Sequence, residues 1–152
     1  MKRKILNLSA IFATITSILL ATGCTDEIEK DNISKYDIVK YKWHLTKFVD
    51  IPNKIEKQPL QNSKNVYWIK LDDGPNFEGK AFSNTINGTY TMDIDSKSIS
   101  FNNINSGTAC ELYDGDKFLL QLSMVQNLHV SGDTLRLLFN NKMNYLQFER
   151  IK

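Results

Sequence analysis

Thr89-Tyr90-Thr91-Met92-Asp93-Ile94, then Asp95-Ser96-Lys97, then Ser98-Ile99-Ser100-Phe101, is the stretch that decides the fold. Two short runs rich in aromatic, β-branched and small polar residues flank three turn-forming residues, which is the pattern of an antiparallel hairpin. Asn87-Gly88 stands directly before it and predicts a tight turn of its own. The same grammar continues in both directions. Upstream, Tyr41-Lys42-Trp43-His44-Leu45 alternates, with Tyr41, Trp43 and Leu45 on one face and His44 turned toward solvent. Val66 to Leu71 reads as a second strand, Asp72-Asp73-Gly74-Pro75-Asn76 as a turn, and Phe77 to Phe82 as a third strand with Gly79 at a bulge. Downstream, Leu128-His129-Val130, Thr134 to Phe139 and Met143 to Ile151 are strands separated by Ser131-Gly132-Asp133 and Asn140-Asn141-Lys142. In the last strand Leu146 and Phe148 share a face with Arg150.

One segment breaks this rhythm. Asp114-Gly115-Asp116 supplies a cap and an early negative charge, and Phe118, Leu119, Leu122, Met124 and Val125 follow at helical spacing. Many short strands and one packed helix predict a mainly β (α+β) fold, a small antiparallel β-barrel or sandwich. Asp50 to Lys64, with Pro52 and Pro59, is expected to be a long polar connection that serves as a lid, a partner-binding loop or a tolerated insertion.

The first segment concerns destination, not fold. Met1-Lys2-Arg3-Lys4 is basic, and no charge occurs from Ile5 to Thr25. The apolar run is diluted by Asn7, Ser9, Thr14, Thr16, Ser17 and Thr22, ends in small residues and is followed by no basic stop. That describes a secretory signal peptide over 1–23, not a spanning helix. Leu20-Ala21-Thr22-Gly23-Cys24 resembles a bacterial lipobox, with the leucine one position further from the cysteine than usual. Ala21-Thr22-Gly23 also reads as an ordinary cleavage site. Both readings cut Gly23–Cys24, and they differ in whether Cys24 carries lipid, the membrane anchor expected here. Residues 24–38 are then a lipidated cysteine with a polar, acidic tether, and 39–152 the β domain. Thr25, where an Asp would favour inner-membrane retention, points to the outer membrane.

Cleavage reverses the charge balance. The whole chain has 19 Lys and Arg against 17 Asp and Glu, and the removed part holds three of the former and no acid. The mature chain is nearly neutral and has no basic run of the kind nucleic-acid binding requires.

The order of motifs between Trp43 and Arg150 resembles the META domain, also called HslJ-like, a family of bacterial envelope proteins. The resemblance is carried by Trp43-His44-Leu45, Phe82-Ser83-Asn84-Thr85-Ile86-Asn87-Gly88-Thr89-Tyr90, Ile99 with Phe101, Thr108-Ala109-Cys110 and Glu111, the Phe118…Leu122 helix, Gly132-Asp133-x-Leu135-x-Leu137, and Leu146-x-Phe148. It implies a compact antiparallel β fold with a helix packed on it and implies no enzyme. The resemblance implies a cysteine, paired with the later one, where this chain has Ser83, so Cys110 is expected to be an unpaired, buried thiol.

Catalytic and metal signatures are missing from the sequence. His44 and His129 are the only histidines; there is no H-E-x-x-H, no P-loop, no G-x-S-x-G and no G-x-G-x-x-G. Asp72-Asp73, Asp93-x-Asp95 and Asp114-Gly115-Asp116 read as turns or caps, so no metal and no cofactor is expected. Asn87-Gly88-Thr89 and Asp133-Thr134-Leu135 match glycosylation triplets that turn chemistry explains equally well. Trp43, Trp68, Tyr90 and Phe101 could line a ligand cavity or fill a core. Two functions are therefore expected in competition: a non-catalytic envelope lipoprotein that binds a partner protein or supports envelope integrity, and a lipocalin-like carrier of a small apolar ligand.

Overall fold

The structure is a computed structural model and describes residues 34–151. Nine strands follow one another with two short helices: α1 (Lys35–Val39), β1 (Lys42–Asp50), β2 (Ile55–Lys57), β3 (Trp68–Leu71), β4 (Asn76–Lys80), β5 (Thr85–Asp93), β6 (Ser98–Ser106), α2 (Gly115–Ser123), β7 (Asn127–Ser131), β8 (Thr134–Phe139) and β9 (Asn144–Ile151). All pairings are antiparallel, in the order β2-β1-β3-β4-β5-β6-β7-β8-β9. β1 also pairs with β9, from Lys42↔Ile151 to Asp50↔Asn144, which turns the order into a ring. The ring stops short of a continuous barrel, because β6 and β7 meet at a single pair, Ser98↔Asn127. Beyond that pair α2 packs against β6.

The hairpin at 89–101 forms as its residues dictate. Tyr90↔Phe101 and Met92↔Ile99 face each other across β5 and β6. The Asp93 carboxylate accepts from the Asp95 and Ser96 N–H groups and from the Ser96 hydroxyl, and Lys97 closes the turn at φ +53°.

Asn87-Gly88, by contrast, makes no turn. Both residues lie inside β5, with Gly88 opposite Phe77. The register with β6 slips between Asn87 and Thr89, so the bulge falls here and not at Gly79, whose pairing is regular on both sides. The glycine is required by close approach. A Cβ at 88 would stand 2.7 Å from the Phe77 ring and 2.8 Å from the Asn102 carbonyl oxygen. At Gly79 it would meet the Trp68 carbonyl at 2.5 Å.

Strand ends differ from the expected ones for local reasons. The strand expected from Val66 begins at Trp68, because Tyr67 adopts φ +51° and breaks the extended run. The one expected to reach Phe82 ends at Lys80, where Ala81 N–H turns back to the Asn84 carbonyl. The 50–64 connection contains β2, a fully exposed strand that no burial pattern in the sequence could reveal. Where one helix was expected, the described residues hold two. Residues 35–38, assigned to a solvated tether, belong to α1, and Ile38 is fully buried. Residues 1–33, and with them the signal peptide, Cys24 and most of the tether, lie outside the described residues.

The core is the inner face of the ring, closed from one side by α2. Trp43, Leu45, Ile69, Leu71, Leu137 and Phe148 are almost completely buried. Phe118 of α2 is fully buried between Tyr67 and Phe148, with ring centroids 6.0 and 6.3 Å away. Burial of one such ring stabilises the fold by about 2–3 kcal/mol, which is why a short helix stays docked. Asp114 occupies the N-cap position of α2, yet its carboxylate does not cap. It accepts from Leu60 N–H at 2.8 Å and from Lys57 Nζ at 3.2 Å, tying the 57–60 segment to the helix. Burial opposes its ionisation, but these partners win and hold its pKa below the ordinary aspartate value.

Candidate functional site

The four aromatics considered as a cavity lining do not share one surface. Trp43, Tyr90 and Phe101 face the core, and each is engaged. Trp43 Nε1–H donates to the Ile38 carbonyl at 2.9 Å. The Tyr90 hydroxyl donates to the Asp72 carbonyl at 2.6 Å. Its burial, reinforced by the charges of Asp72 and Asp73, pushes its pKa up to about 12. Phe101 packs edge-on against Phe77 at 5.1 Å. Trp68 lies on the opposite, outer face of β3, half-buried under the Lys42 ammonium, 3.6 Å from its ring centroid.

His44 is also on the outer face of the sheet, but it is not solvent-facing as expected. It is buried beneath the 58–66 segment, with Nε2 3.0 Å from the Ser63 carbonyl. Desolvation lowers its pKa against the opposing effect of that hydrogen bond. His129, on β7, is exposed. Cys110 is unpaired among the described residues and exposed, which corrects the buried thiol expected above. It lies in the irregular 107–114 stretch, whose neighbours Leu112 and Tyr113 are exposed too, so no layer covers the thiol. No group of three or more metal-ligating side chains occurs among the described residues.

Recesses do occur at the surface. One of about 210 Å³ lies between α2 and the β1–β2 hairpin, with Phe48, Lys57, Lys117 and Gln121 in its wall. Burial lowers the Lys117 pKa, and its ammonium stands 4.2 Å from the Phe48 ring centroid. A second, of about 290 Å³, is formed by β3 and β4 around Asp72 and Glu78.

The third is chemically distinct. It measures about 320 Å³ and sits at the end of the ring where the β1–β2, β5–β6 and β8–β9 turns converge. Lys97, His129, Arg136 and Lys142 line it, with Ile51, Leu138 and Tyr145 as its apolar part, and no carboxylate belongs to the wall. The register makes it: Asn127, Leu138, Tyr145 and Val49 stand in one row across β7, β8, β9 and β1, and His129 and Arg136 pair two rows further on. Arg136 is positioned by Gln147, whose Oε1 accepts from its Nε at 3.3 Å, and by the Tyr145 ring at 5.3 Å. No sequence motif announced this cleft, since Ile51 and Lys97 join it from segments far from the 127–145 stretch that supplies the rest.

These features define a β-rich α+β protein whose sheet closes on itself in a ring. No family model matches the chain, and no curated protein does. Among solved structures, the fold is similar to a DUF4847 family protein from Bacteroides vulgatus ATCC 8482, at TM-score 0.56 and 16% identity, covering 74% of this chain and 93% of that one. It is also similar to a protein from Burkholderia xenovorans solved by NMR, at TM-score 0.60 and 16% identity, covering 76% and 84%. At that identity the likeness is one of fold. Among the described residues no helix is long and apolar enough to cross a membrane, which leaves strands unaddressed.

Proposed function

We propose that this chain is a non-catalytic lipoprotein of the bacterial envelope, anchored through Cys24 in the outer membrane, that works by binding another protein with its outer surface. The observation that carries this reading is the division of the molecule. Core aromatics have their polar atoms satisfied within the fold, as at Trp43 and Tyr90. Large apolar side chains remain exposed at Ile51, Leu60, Leu112, Tyr113 and Leu120. Leu60 N–H bonds the Asp114 carboxylate, which sets exposed Leu60 near exposed Leu112 and Tyr113, and grouped apolar exposure favours association over interior carriage. The META-like reading is supported by the contact of Asn84 with Ala109 and Glu111, three of the residues that suggested it.

Photo-crosslinking in the native envelope tests the proposal, with probes placed one at a time at Ile51, Leu112 and Leu120. A discrete protein adduct from one face is expected, lost when Cys24→Ser removes the anchor. Absence of an adduct from every probed face would overturn the reading. So would a small apolar mass that co-purifies with the native chain, which would favour a carrier. Intact mass of the mature protein tests the anchor separately.

A further inference from the structure

We propose that the cleft lined by Lys97, Arg136 and Lys142 is where that partner docks, and that it takes an acidic peptide segment with an apolar side chain at its centre. The proposal rests on the binding-module reading above. Charge is the first argument. In a nearly neutral domain, three cations converge on one recess, and none of them makes an ion pair among the described residues. Glu56 senses the Arg136 charge but is bonded to Lys47 at 2.7 Å. Three like charges lining one recess repel one another, and an acidic ligand would relieve this.

Preorganisation is the second. Gln147 and the Tyr145 ring fix the Arg136 side chain through Nε and one face of the guanidinium. The terminal Nη groups keep their donors for a carboxylate, which they can hold through two parallel bonds. The third is the apolar floor. Ile51 is 51% exposed beside Leu138 and Tyr145, a seat for one aliphatic or aromatic side chain. At about 320 Å³ the recess is at the lower end of small-ligand sites and accommodates a side chain or two. Its cations come from three separate elements. That suits carboxylates spaced along an extended peptide better than one lipid headgroup with acyl chains.

Two of the cations also make the test clean. Lys97 and Lys142 have φ of +53° and +65°, where glycine is at ease. Replacement by glycine therefore removes charge without straining the turn. The ¹⁵N-labelled full chain in neutral detergent is titrated with the peptide Ac-Glu-Asp-Leu-Phe-Asp-Glu-NH₂. Saturable shifts are expected at the amides of Ile51, Lys97, Arg136, Lys142 and Tyr145. Affinity should fall about tenfold or more in Arg136→Glu and in the Lys97→Gly/Lys142→Gly double variant, at unchanged Tm, and should weaken as salt rises from about 50 to 300 mM. No saturation at millimolar peptide, or equal binding by Arg136→Glu, overturns the proposal. Equal binding of a peptide with Ser-Ser in place of Leu-Phe overturns its apolar half. Arg136-dependent binding of phosphatidylglycerol vesicles without peptide binding would make it a lipid site instead. A crosslinked partner found only from Leu112 or Leu120 would overturn the cleft and leave the binding-module reading standing; no partner from any face would overturn both.

Discussion

Glu111 holds Asn84 twice, accepting from its backbone N–H at 3.0 Å and from its side-chain amide at 2.7 Å through the same oxygen. The other carboxylate oxygen accepts from the Phe82 and Ser83 N–H groups at 3.1 and 2.9 Å. Asn84 in turn grips the Ala109 backbone on both sides, donating to its carbonyl and accepting from its N–H. One carboxylate thus satisfies three consecutive main-chain donors in the turn that follows β4. Glu111→Ala orphans them and is expected to destabilise the protein by about 2–4 kcal/mol, with Glu111→Gln milder because it keeps one acceptor oxygen. Urea denaturation of both variants checks the order. Equal stability of Glu111→Ala and the parent would show that water replaces the carboxylate at no cost.

His44 makes stability depend on pH. Its folded pKa lies below the ordinary value of 6.5, with burial the principal cause. The unfolded chain then binds the proton more readily than the folded one. The contribution is intact above pH 6.5 and is lost as pH falls through that value toward the lowered folded pKa. Denaturation midpoints should decline between about pH 7.5 and 5.5, and His44→Asn should flatten that part of the profile. A parent curve that is level across this window would contradict the burial assignment.

Gly88 tolerates no side chain. Alanine there would press on the Phe77 ring and on the carbonyl oxygens of Asn102 and Asn103, all closer than 3.0 Å. The expected loss for Gly88→Ala is about 1–3 kcal/mol by overpacking, read as a lower Tm. Gly74, whose nearest neighbour is an Asp72 oxygen at 3.4 Å, should accept alanine far more readily and serves as the control.

Cys110 should react with a maleimide in the native protein within the time of hand mixing, because its side chain is exposed. Peptide mapping is needed to separate it from Cys24. In a Cys24→Ser background, oxidation of the purified chain should give a disulfide-linked dimer that Cys110→Ser abolishes. Slow labelling that accelerates on unfolding would restore the buried thiol.

Much of the strand pattern was legible in the residues. Thr134 to Phe139 forms β8 with the expected bounds, and Asp95-Ser96-Lys97 and Asn140-Asn141-Lys142 make the expected turns. Phe118 and Leu122 are buried as their helical spacing requires. Three of the misreadings share one cause, a tertiary contact that overrides a local signal. Asn87-Gly88 is a strong local turn signal, yet the Phe77 ring needs a glycine opposite it, and packing overrode the local preference. His44 alternates to the outer face as expected, but the returning 58–66 segment covers that face. Asp114 has the residue type of a helix cap and serves Leu60 and Lys57 instead.

The sequence by itself determined the periodicities and turns that make this a mainly β protein with a helix after Asp114, because those depend on neighbours a few residues apart. It also determined the basic and apolar start of the chain and the cysteine at 24. Only the tertiary structure decided that β1 closes against β9, about a hundred residues away. That pairing brings Ile51 beside Arg136, Lys142 and Tyr145 of the β8–β9 hairpin and completes the apolar part of the cleft. The β7–β8–β9 hairpins supply most of its wall locally, but Ile51 and Lys97 join from distant segments, and their arrival follows from the register of long-range pairing, which local alternation leaves open.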